Sequence, residues 1–228
     1  MKTLAFDTST KFLTIACLED DNVLSSFHED VGIRHSDILV PTIDDVLLKA
    51  GWRLKDVELL AVGIGPGSFT GLRIAVATVK GFLAVIDAKV VGVPTMDAIV
   101  QNGPRDKKMM APFLDARKEK VYSCIYESEG DVLSMQSDYL LLGVEDLIAQ
   151  LKGKVFFFGD GIKKYKEHLD ASPLAEYSED IEWYPKAPDI ARLGVEKFSK
   201  GELSSAEEID PMYLHAKECN VTTKKKRD

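Results

Sequence analysis

Short apolar segments separated by turn residues open the chain and predict strands. Residues 3–7, 12–19 and 23–29 form three such segments, with a tight turn at 20–22 between the second and the third. Apolar residues then recur at helical spacing over residues 36–50, where Ser36 is a candidate N-cap. The pattern therefore predicts three strands followed by a helix.

A continuous apolar segment at residues 57–64 lies between glycines, which is typical of a strand covered on both faces. The glycine-rich loop 65–68 follows it and leads into an apolar segment at 70–86 with the length of a helix. The first half of the chain is thus predicted to have the order βββαβα.

The same order returns after residue 108. Strands are predicted at 109–115, 121–126 and 132–139, a helix at 144–151 and a strand at 154–158, after which Gly159 and Gly161 open a further helix. Val-Leu-Ser begins the third strand of each half, at 23–25 and at 132–134. We interpret this as a duplicated unit, with domains at 1–103 and 104–215 and a basic tail at 216–228.

Composition and charge restrict the classes of function. The 228 residues are 45% hydrophobic and carry a net charge of −8, with 29 Lys and Arg against 37 Asp and Glu. Such a chain folds, but an acidic surface neutralises phosphates poorly. The only basic cluster is the tail at 224–227, and the alternatives for it are a solvated terminus, which is usual for such tails, and a contact with RNA.

The chain also lacks the sequence signals of export. Its three cysteines are far apart, its N-terminus has no secretory signal, and its most apolar stretch, residues 72–86, is too short to span a bilayer. These features predict a cytoplasmic protein with no membrane association.

The loop that joins residue 64 to the second helix contains the most distinctive local sequence. A helix N-terminus after a glycine turn can hold an anion, whereas the plainer interpretation is a strand-to-helix turn with Arg73 packed over it. The spacing matches neither a Walker loop nor a G-x-G-x-x-G motif and favours the turn. The residues concerned are Gly65, Gly67, Ser68, Thr70, Gly71 and Arg73.

The histidines and Ser68 do not form the patterns expected of a catalytic metal site or an activated nucleophile. A catalytic metal needs about three converging protein ligands. The four histidines, at positions 28, 35, 168 and 215, include no pair at helical spacing, and Ser68 does not stand in a G-x-S-x-G sequence. We predict no metal site and no catalytic residue.

The two helices of the first half carry more apolar residues than one buried face requires. They either cover each other or leave a surface that binds a second polypeptide, as a two-helix patch often does. The candidate interface residues are Ile38, Val40, Leu48, Ala75, Val76, Val79, Phe82 and Leu83.

Taken as whole strings, several segments resemble the bacterial TsaB (YeaZ) family, whose members are partner subunits in making threonylcarbamoyladenosine on tRNA. The resemblance covers residues 2–215 and is strong to about 126. Ala75 stands where the family has glycine, His215 stands where it has arginine, and the tail is outside the pattern. The matching segments are GPGSFTGLR at 65–73, DTST at 7–10, the H-S-x-x-L-x-P stretch at 35–41, D-A-R-x-x-x-V-Y at 115–122, G-D-G at 159–161 and P-M-Y-L at 211–214.

The resemblance implies an α/β fold of two ribonuclease H-like βββαβα lobes, the actin-like ATPase superfold, with ligands between the lobes. It implies a non-catalytic partner that binds a TsaD-type transferase, works with a TsaE-type ATPase, pairs with itself through the same helices and meets tRNA only indirectly. No cofactor of its own is implied, although ATP or ADP can be present in the complex.

The first hairpin leaves an alternative function open. Actin-like proteins hold phosphate there, so Asp7, Thr8 and Ser9 are candidate nucleotide-binding residues, with Asp7 able to hold hydrated magnesium. The same side chains can instead satisfy the turn's own backbone, since the hairpin has no glycine. The hairpin therefore leaves a stand-alone ATPase or phosphotransferase as the alternative function. A metal-dependent peptidase is a separate rival, which stoichiometric zinc or iron in the purified protein would support.

Overall fold

The computed structural model describes residues 1–214. Its first half contains five strands, which form sheet 1 in the order β3-β2-β1-β4-β5. Strand β2 pairs antiparallel with both β1 and β3, whereas β4 pairs parallel with β1 and with β5. The elements are β1 (Lys2–Asp7), β2 (Phe12–Glu19), β3 (Asn22–Asp30), α1 (His35–Lys49), β4 (Leu59–Gly65), α2 (Phe69–Leu83), β5 (Lys89–Pro94) and α3 (Thr95–Ile99).

The second half forms sheet 2, whose main path has the strand order β10-β7-β6-β11-β12. Strands β8 and β9 form a hairpin off this path, because β8 pairs with β6 while β9 pairs with β8. The elements are β6 (Met109–Arg117), β7 (Lys120–Ser123), β8 (Tyr126–Glu129), β9 (Val132–Met135), β10 (Leu140–Gly143), α4 (Val144–Ala149), β11 (Val155–Phe158), α5 (Gly161–Asp170), β12 (Ala175–Ser178) and α6 (Ala187–Ser199).

The two sheets repeat one topology. In each, a central strand pairs antiparallel with the next strand and parallel with a later one, so β6, β7, β11 and β12 correspond to β1, β2, β4 and β5. The predicted α/β fold class with two ribonuclease H-like units is confirmed.

The match between the two Val-Leu-Ser segments is wrong in detail. Residues 23–25 lie in β3, the third strand of sheet 1, but residues 132–134 lie in β9, in the inserted hairpin. The place of β3 is taken by β10, which pairs with β7 as β3 pairs with β2. The predicted strand at 121–126 covers most of β7 and the first residue of β8, whereas the predicted strand at 132–139 is too long, because β9 ends at residue 135.

Helices α1 and α2 cover one face of sheet 1, where Leu39, Ile43 and Val46 pack on Leu13 and Ile15 in a common core. Helix α1 begins one residue before the predicted start, and its N-cap is Arg34 rather than Ser36. The hydroxyl of Ser36 donates to Asp37 Oδ1 instead of capping the helix.

The opposite face of sheet 1 is covered by α6, the last helix of the described chain. Ala187, Ile190 and Ala191 pack there against Ala5 and Ala61. After leaving sheet 2, the chain therefore returns to sheet 1, and the packed units do not coincide with the continuous segments 1–103 and 104–215. Between residues 1 and 214, the structure contains no helix with the length and hydropathy needed to cross a membrane.

Candidate functional site

The carboxylate of Asp7 lies at the carboxyl end of β1, fully buried and surrounded by donors from its own chain. Its Oδ1 accepts from the amide and from the hydroxyl of Ser9, both at 2.6 Å. Its Oδ2 accepts from the Thr95 hydroxyl at 2.9 Å, and that hydroxyl in turn accepts from the Gly65 amide at 3.1 Å. Burial raises the pKa of Asp7, and these hydrogen bonds oppose the shift.

The glycine-rich loop sits directly on this hairpin. The Ser68 amide donates to the Ser9 carbonyl at 2.7 Å, and the Thr8 hydroxyl donates to the Gly71 carbonyl at 2.7 Å. A Cβ on Gly71 would lie 1.9 Å from the Thr8 carbonyl oxygen, so only glycine permits this approach. The hydroxyl of Ser68 accepts from the Gly71 amide and so caps α2.

The hairpin residues predicted for nucleotide binding are thus engaged in holding two loops together. The Ser9 amide, a donor that a phosphate would need, is turned to the Asp7 carboxylate, and the Phe12 amide is turned to the Thr10 hydroxyl. This arrangement favours the structural interpretation of Asp7, Thr8 and Ser9. Nucleotide binding at these residues stays a prediction.

The outer part of the loop forms an aromatic and cationic cluster. The Arg73 guanidinium lies 3.8 Å from the centre of the Phe69 ring and donates from Nε to the Tyr213 hydroxyl at 3.0 Å. Phe69 and Tyr213 are both exposed, with ring centres 5.2 Å apart. Thr70 is exposed beside them, whereas Gly65 and Gly71 are buried. Of the predicted signature residues, only Thr70, Arg73 and Ser68 therefore reach the surface, together with the partly buried Gly67.

A cleft of about 960 Å³ opens between the two sheets, beside this cluster. Its first wall includes Ile33, Phe69 and Tyr213, and its second wall includes Asp115 and Asp160. The Asp160 carboxylate accepts from the Asp115 amide at 2.9 Å, and burial raises its pKa. The cleft thus lies where the corresponding edges of the two sheets face each other.

Trp183 and Tyr184 form an aromatic segment that lines the cleft. Tyr184 stacks on Phe12 with ring centres 3.9 Å apart, and Lys11 lies 5.5 Å from the Tyr184 ring. The Asn102 amide donates to the Tyr184 carbonyl at 2.9 Å. On β3, His28 lies 3.3 Å from Glu182, and burial lowers its pKa. This segment connects β12 to α6 and brings residues of the second half onto the first hairpin.

Possible metal ligands do not converge. Among residues 1–214, no group of three His, Cys, Asp or Glu side chains could hold a metal ion. His35 is buried, with Nε2 3.3 Å from the Phe12 carbonyl oxygen, and so forms part of the fold. His215 lies outside the described residues.

The predicted helix interface separates into three sets of residues, which are buried, partly buried and exposed. Ala75, Val76 and Val79 lie in the core against sheet 1, so they are unavailable to a partner, and that part of the prediction is corrected. Ile38, Phe82 and Leu83 are partly buried at the edge of the same core. Val40 and Leu48, on the outward side of α1, are 51% and 75% exposed.

Sequence reasoning missed Thr95 and Asp97. Each follows β5, a strand that was not predicted, and Thr95 meets Asp7 because the carboxyl ends of the parallel strands β1, β4 and β5 share one edge of the sheet. Asp97 accepts from the hydroxyls of Tyr126 and Tyr139 at 2.6 and 2.9 Å, and burial raises its pKa. The apolar run before Thr95 was the signal that could have revealed β5.

The chain matches a protein-family model over most of its length. The family is described as TsaD, tRNA N6-adenosine threonylcarbamoyltransferase, and residues 27–215 match its model. The chain belongs to this family. YeaZ from Pseudomonas aeruginosa, a solved structure, is 30% identical, with a TM-score of 0.80 over 93% of this chain and 99% of that chain.

Two curated relatives show which members of the TsaD family the chain is similar to. One from Escherichia coli (strain K12) is 28% identical over 99% of this chain and 98% of its own length. One from Bacillus subtilis (strain 168) is 26% identical over 97% of both. Each is named tRNA threonylcarbamoyladenosine biosynthesis protein TsaB. The resemblance to TsaB (YeaZ) is therefore confirmed.

The motifs that carry this family resemblance meet in one region. Segments 7–10 and 65–73 are in contact through the hydrogen bonds described above. His35, from the segment 35–41, lines the cleft from one side, and Asp115, Arg117 and Tyr122 line it from the other. The residues shared with the family thus line the cleft or form the loop contacts beside it.

Proposed function

We propose that the chain is a non-catalytic partner subunit in the biosynthesis of tRNA threonylcarbamoyladenosine. It binds and activates a TsaD-type transferase, and a TsaE-type ATPase completes the assembly. The transferase then moves the threonylcarbamoyl group to N6 of the adenosine beside the tRNA anticodon. Near-full-length similarity to proteins named TsaB supports the pathway, and the exposed apolar face of α1 and α2 supports the role of a partner.

That face carries the proposal. Along α1, Val40, Asp44 and Leu48 follow at intervals of four residues and so lie on one side of the helix. On α2, Gly81 is exposed with open space beside it, and the exposed Val85 follows at the C-terminal end. Both helices cover the same face of sheet 1, so their outward sides point the same way. Exposed aliphatic residues around a glycine allow a partner helix to approach closely.

The proposal assigns the chemistry to the partner. The Asp7 carboxylate is already held by donors of its own chain, which leaves it poorly placed to bind magnesium. We therefore propose no cofactor for this chain, with ATP or ADP entering through the other subunits. We also propose that this assembly acts in the cytoplasm. Without the transferase, two copies of the chain would pair through the same face, and the transferase would take the place of one copy.

The first test replaces Leu48 by glutamate. Leu48 is 75% exposed, so the substitution should leave the fold intact but place a charge in the contact, which costs several kcal/mol if it stays buried there. We expect the variant to fail to co-elute with the TsaD-family paralogue of the same organism in size-exclusion chromatography. Circular dichroism confirms that the variant is folded.

Val132→Glu is the matched control. Val132 is 66% exposed on β9 of sheet 2, away from the helix pair, so this variant should co-elute with the paralogue as the unmodified chain does. Gly81→Arg adds a second variant on the face, since a Cβ atom there meets nothing within 4 Å in its own chain. If both face variants still bind the paralogue, the helix-pair assignment is wrong.

A further inference from the structure

Arg73 is an exposed arginine on helix α2 that its own chain orients without neutralising. Its guanidinium carbon lies 3.8 Å from the centre of the Phe69 ring, and its Nε donates to the Tyr213 hydroxyl at 3.0 Å. Among residues 1–214, no carboxylate pairs with this arginine, and neither of its Nη atoms has a hydrogen-bond partner. The chain has 37 Asp and Glu against 29 Lys and Arg, so this unpaired cation does not reflect a shortage of carboxylates.

The tyrosine that holds Arg73 belongs to a segment fixed to sheet 1. Ile209 is buried in the core of this sheet, and the Met212 amide donates to the Ile64 carbonyl of β4 at 2.7 Å. Because the residue directly before Tyr213 is bonded to a strand, the tyrosine and Arg73 are positioned before any ligand arrives. A ligand that binds there orders few side chains and so loses little conformational entropy.

The cluster presents three hydrogen-bond donors to solvent. The two Nη groups of Arg73 form a planar fork whose spacing matches the two oxygens of a carboxylate. The Tyr213 oxygen accepts from Arg73, so its own hydrogen remains free to donate, since no other bond joins this hydroxyl to residues 1–214. An anion with two coplanar acceptor oxygens therefore fits this cluster.

The cluster lies on the outward side of α2. Phe69, Arg73, Ala77 and Gly81 follow at intervals of four residues and are all exposed, so they share one side of the helix. The same side contributes Gly81 to the exposed face of α1 and α2. Arginine and aromatic residues are enriched among the side chains that contribute most to binding at protein interfaces. Arg73 thus stands at one end of the proposed partner face.

A protein carboxylate and an RNA phosphate both offer suitable oxygens, and the surroundings of Arg73 favour the carboxylate. RNA binding draws its affinity from several phosphate contacts. The only other cation of α2 is Lys80, which already pairs with Asp210 at 3.2 Å. The basic cluster at 224–227 lies outside the described residues. One unpaired arginine beside small and aromatic residues is typical of a contact with protein.

We propose that Arg73, together with Tyr213, binds an Asp or Glu side chain of the TsaD-type transferase. This inference rests on the proposed function, because it names the chemical group that the partner places at the N-terminal end of α2. Docking against the neighbouring apolar and small residues removes water from the contact. The ion pair therefore contributes more than an exposed pair on a protein surface does.

The first test measures the affinity of the full chain for the TsaD-family paralogue of the same organism by isothermal titration calorimetry. Arg73→Gln removes the charge but keeps a polar side chain, and we expect the Kd to rise at least about thirtyfold. Arg73→Lys keeps the charge but loses the planar fork, so it should recover only part of this loss. Tyr213→Phe removes one donor and should raise the Kd by a smaller factor than Arg73→Gln does.

Lys152→Gln is the charge-matched control. Lys152 is exposed between α4 and β11 and has no ion pair with residues 1–214, so this variant should bind the paralogue as the unmodified chain does. An equal loss of affinity in the control and in Arg73→Gln would overturn the proposal, because the effect would then come from net charge. A lower urea unfolding midpoint for Arg73→Gln with unchanged affinity would also overturn it, since Arg73 would then serve only the fold.

A second test identifies the carboxylate on the paralogue. Its exposed Asp and Glu residues are replaced one at a time by Asn or Gln. One replacement should weaken binding of the unmodified chain about as much as Arg73→Gln does, yet add less than about threefold when combined with Arg73→Gln, because both changes remove one contact. A general effect on the fold would add to the loss instead. If no replacement is coupled to Arg73 in this way, the proposal is wrong.

The remaining outcomes separate this inference from the proposed function. If Arg73→Gln binds the paralogue normally while Leu48→Glu does not, the partner face stands and the carboxylate site is overturned. If Arg73→Gln leaves binding of the paralogue unchanged but weakens binding of an unmodified tRNA transcript, the anion is a phosphate of RNA, which also overturns the proposal. If the unmodified chain does not bind the paralogue, the proposed function and the carboxylate site fall together.

Discussion

Asp7 shows how a carboxylate at a strand end can serve the fold. Sequence reasoning left two roles open, a magnesium ligand and a partner for the local backbone. The structure gives three hydrogen bonds to this carboxylate, from Ser9 and from Thr95, a residue 88 positions away. Because Thr95 also accepts from Gly65, the arrangement ties β1, β4 and β5 together at one edge of sheet 1.

Replacing Asp7 by asparagine should change how stability depends on pH. The pKa of Asp7 is raised above its ordinary value of 3.8, so the folded state keeps the proton to a higher pH than the unfolded state does. Its contribution to stability is therefore largest near or below pH 3.8 and is lost as the pH rises through the folded-state pKa. In urea unfolding, the free-energy advantage of the unmodified chain over Asp7→Asn should shrink as pH rises.

Asp30→Asn is the control with the opposite sign. The hydrogen bond from Lys11 lowers the pKa of Asp30, so its contribution is present above pH 3.8 and is lost as pH falls through the lowered pKa. The advantage of the unmodified chain over this variant should grow as pH rises. Parallel pH trends for the two variants would contradict the assignment of Asp7.

The contact between the glycine-rich loop and the first hairpin should tolerate no side chain at Gly71. A methyl group there would lie 1.9 Å from the Thr8 carbonyl oxygen, a backbone atom that moves only with the hairpin. We expect Gly71→Ala to lower the free energy of unfolding by about 1–3 kcal/mol, measured by urea denaturation.

Gly81→Ala is the matched control in the same helix. Its new methyl group meets nothing within 4 Å, and alanine favours the helix, so stability should rise by about 0.4–1 kcal/mol. If Gly71→Ala were as stable as Gly81→Ala, the loop would not be held against the hairpin as described.

At the scale of elements, helix α2 explains why only part of the predicted interface is at the surface. An all-round apolar pattern shows that a helix has more than one covered side, but not which residue faces which neighbour. Ala75, Val76 and Val79 face the sheet, and Phe82 and Leu83 lie at the edge of the core. The face left for a partner includes the exposed Gly81 on α2 and the exposed Val85 just after it.

Helix α6 should contribute strongly to the stability of sheet 1. Ile190 is fully buried in the cluster that covers the second face of this sheet. Replacement by alanine leaves a cavity and should cost about 2–5 kcal/mol in urea unfolding. Leu203→Ala, at a 44% exposed leucine, should cost about 0.5 kcal/mol or less. Equal losses in the two variants would show that α6 is not part of the core.

At the scale of the whole molecule, two copies of one topology form a cleft where their equivalent edges meet. The copies differ in what covers them, because α6 leaves the second half to close the first sheet. They also differ in the β8–β9 hairpin, which is inserted between the second and third strands of sheet 2. Trp183 and Tyr184 belong to the segment that makes this return, and both line the cleft.

Local patterns in the sequence determined much of this arrangement. Alternation and apolar runs predicted β1, β2, β4 and both long helices of the first half to within a few residues, since each reflects burial over a few consecutive turns or strand pairs. The motifs at 7–10 and 65–73 also pointed to the family and to the region that shapes the cleft. Neither conclusion required knowledge of distant contacts.

Only the tertiary structure decided which distant residues meet. Thr95 reaches Asp7, β10 rather than β9 takes the third place in sheet 2, and α6 crosses to sheet 1, all through pairings between residues far apart in sequence. Val79 is buried and Leu48 is exposed because of how α2 and α1 pack on sheet 1. Periodicity shows which side of a strand or helix is apolar. Which other element covers that side depends on how the whole chain packs.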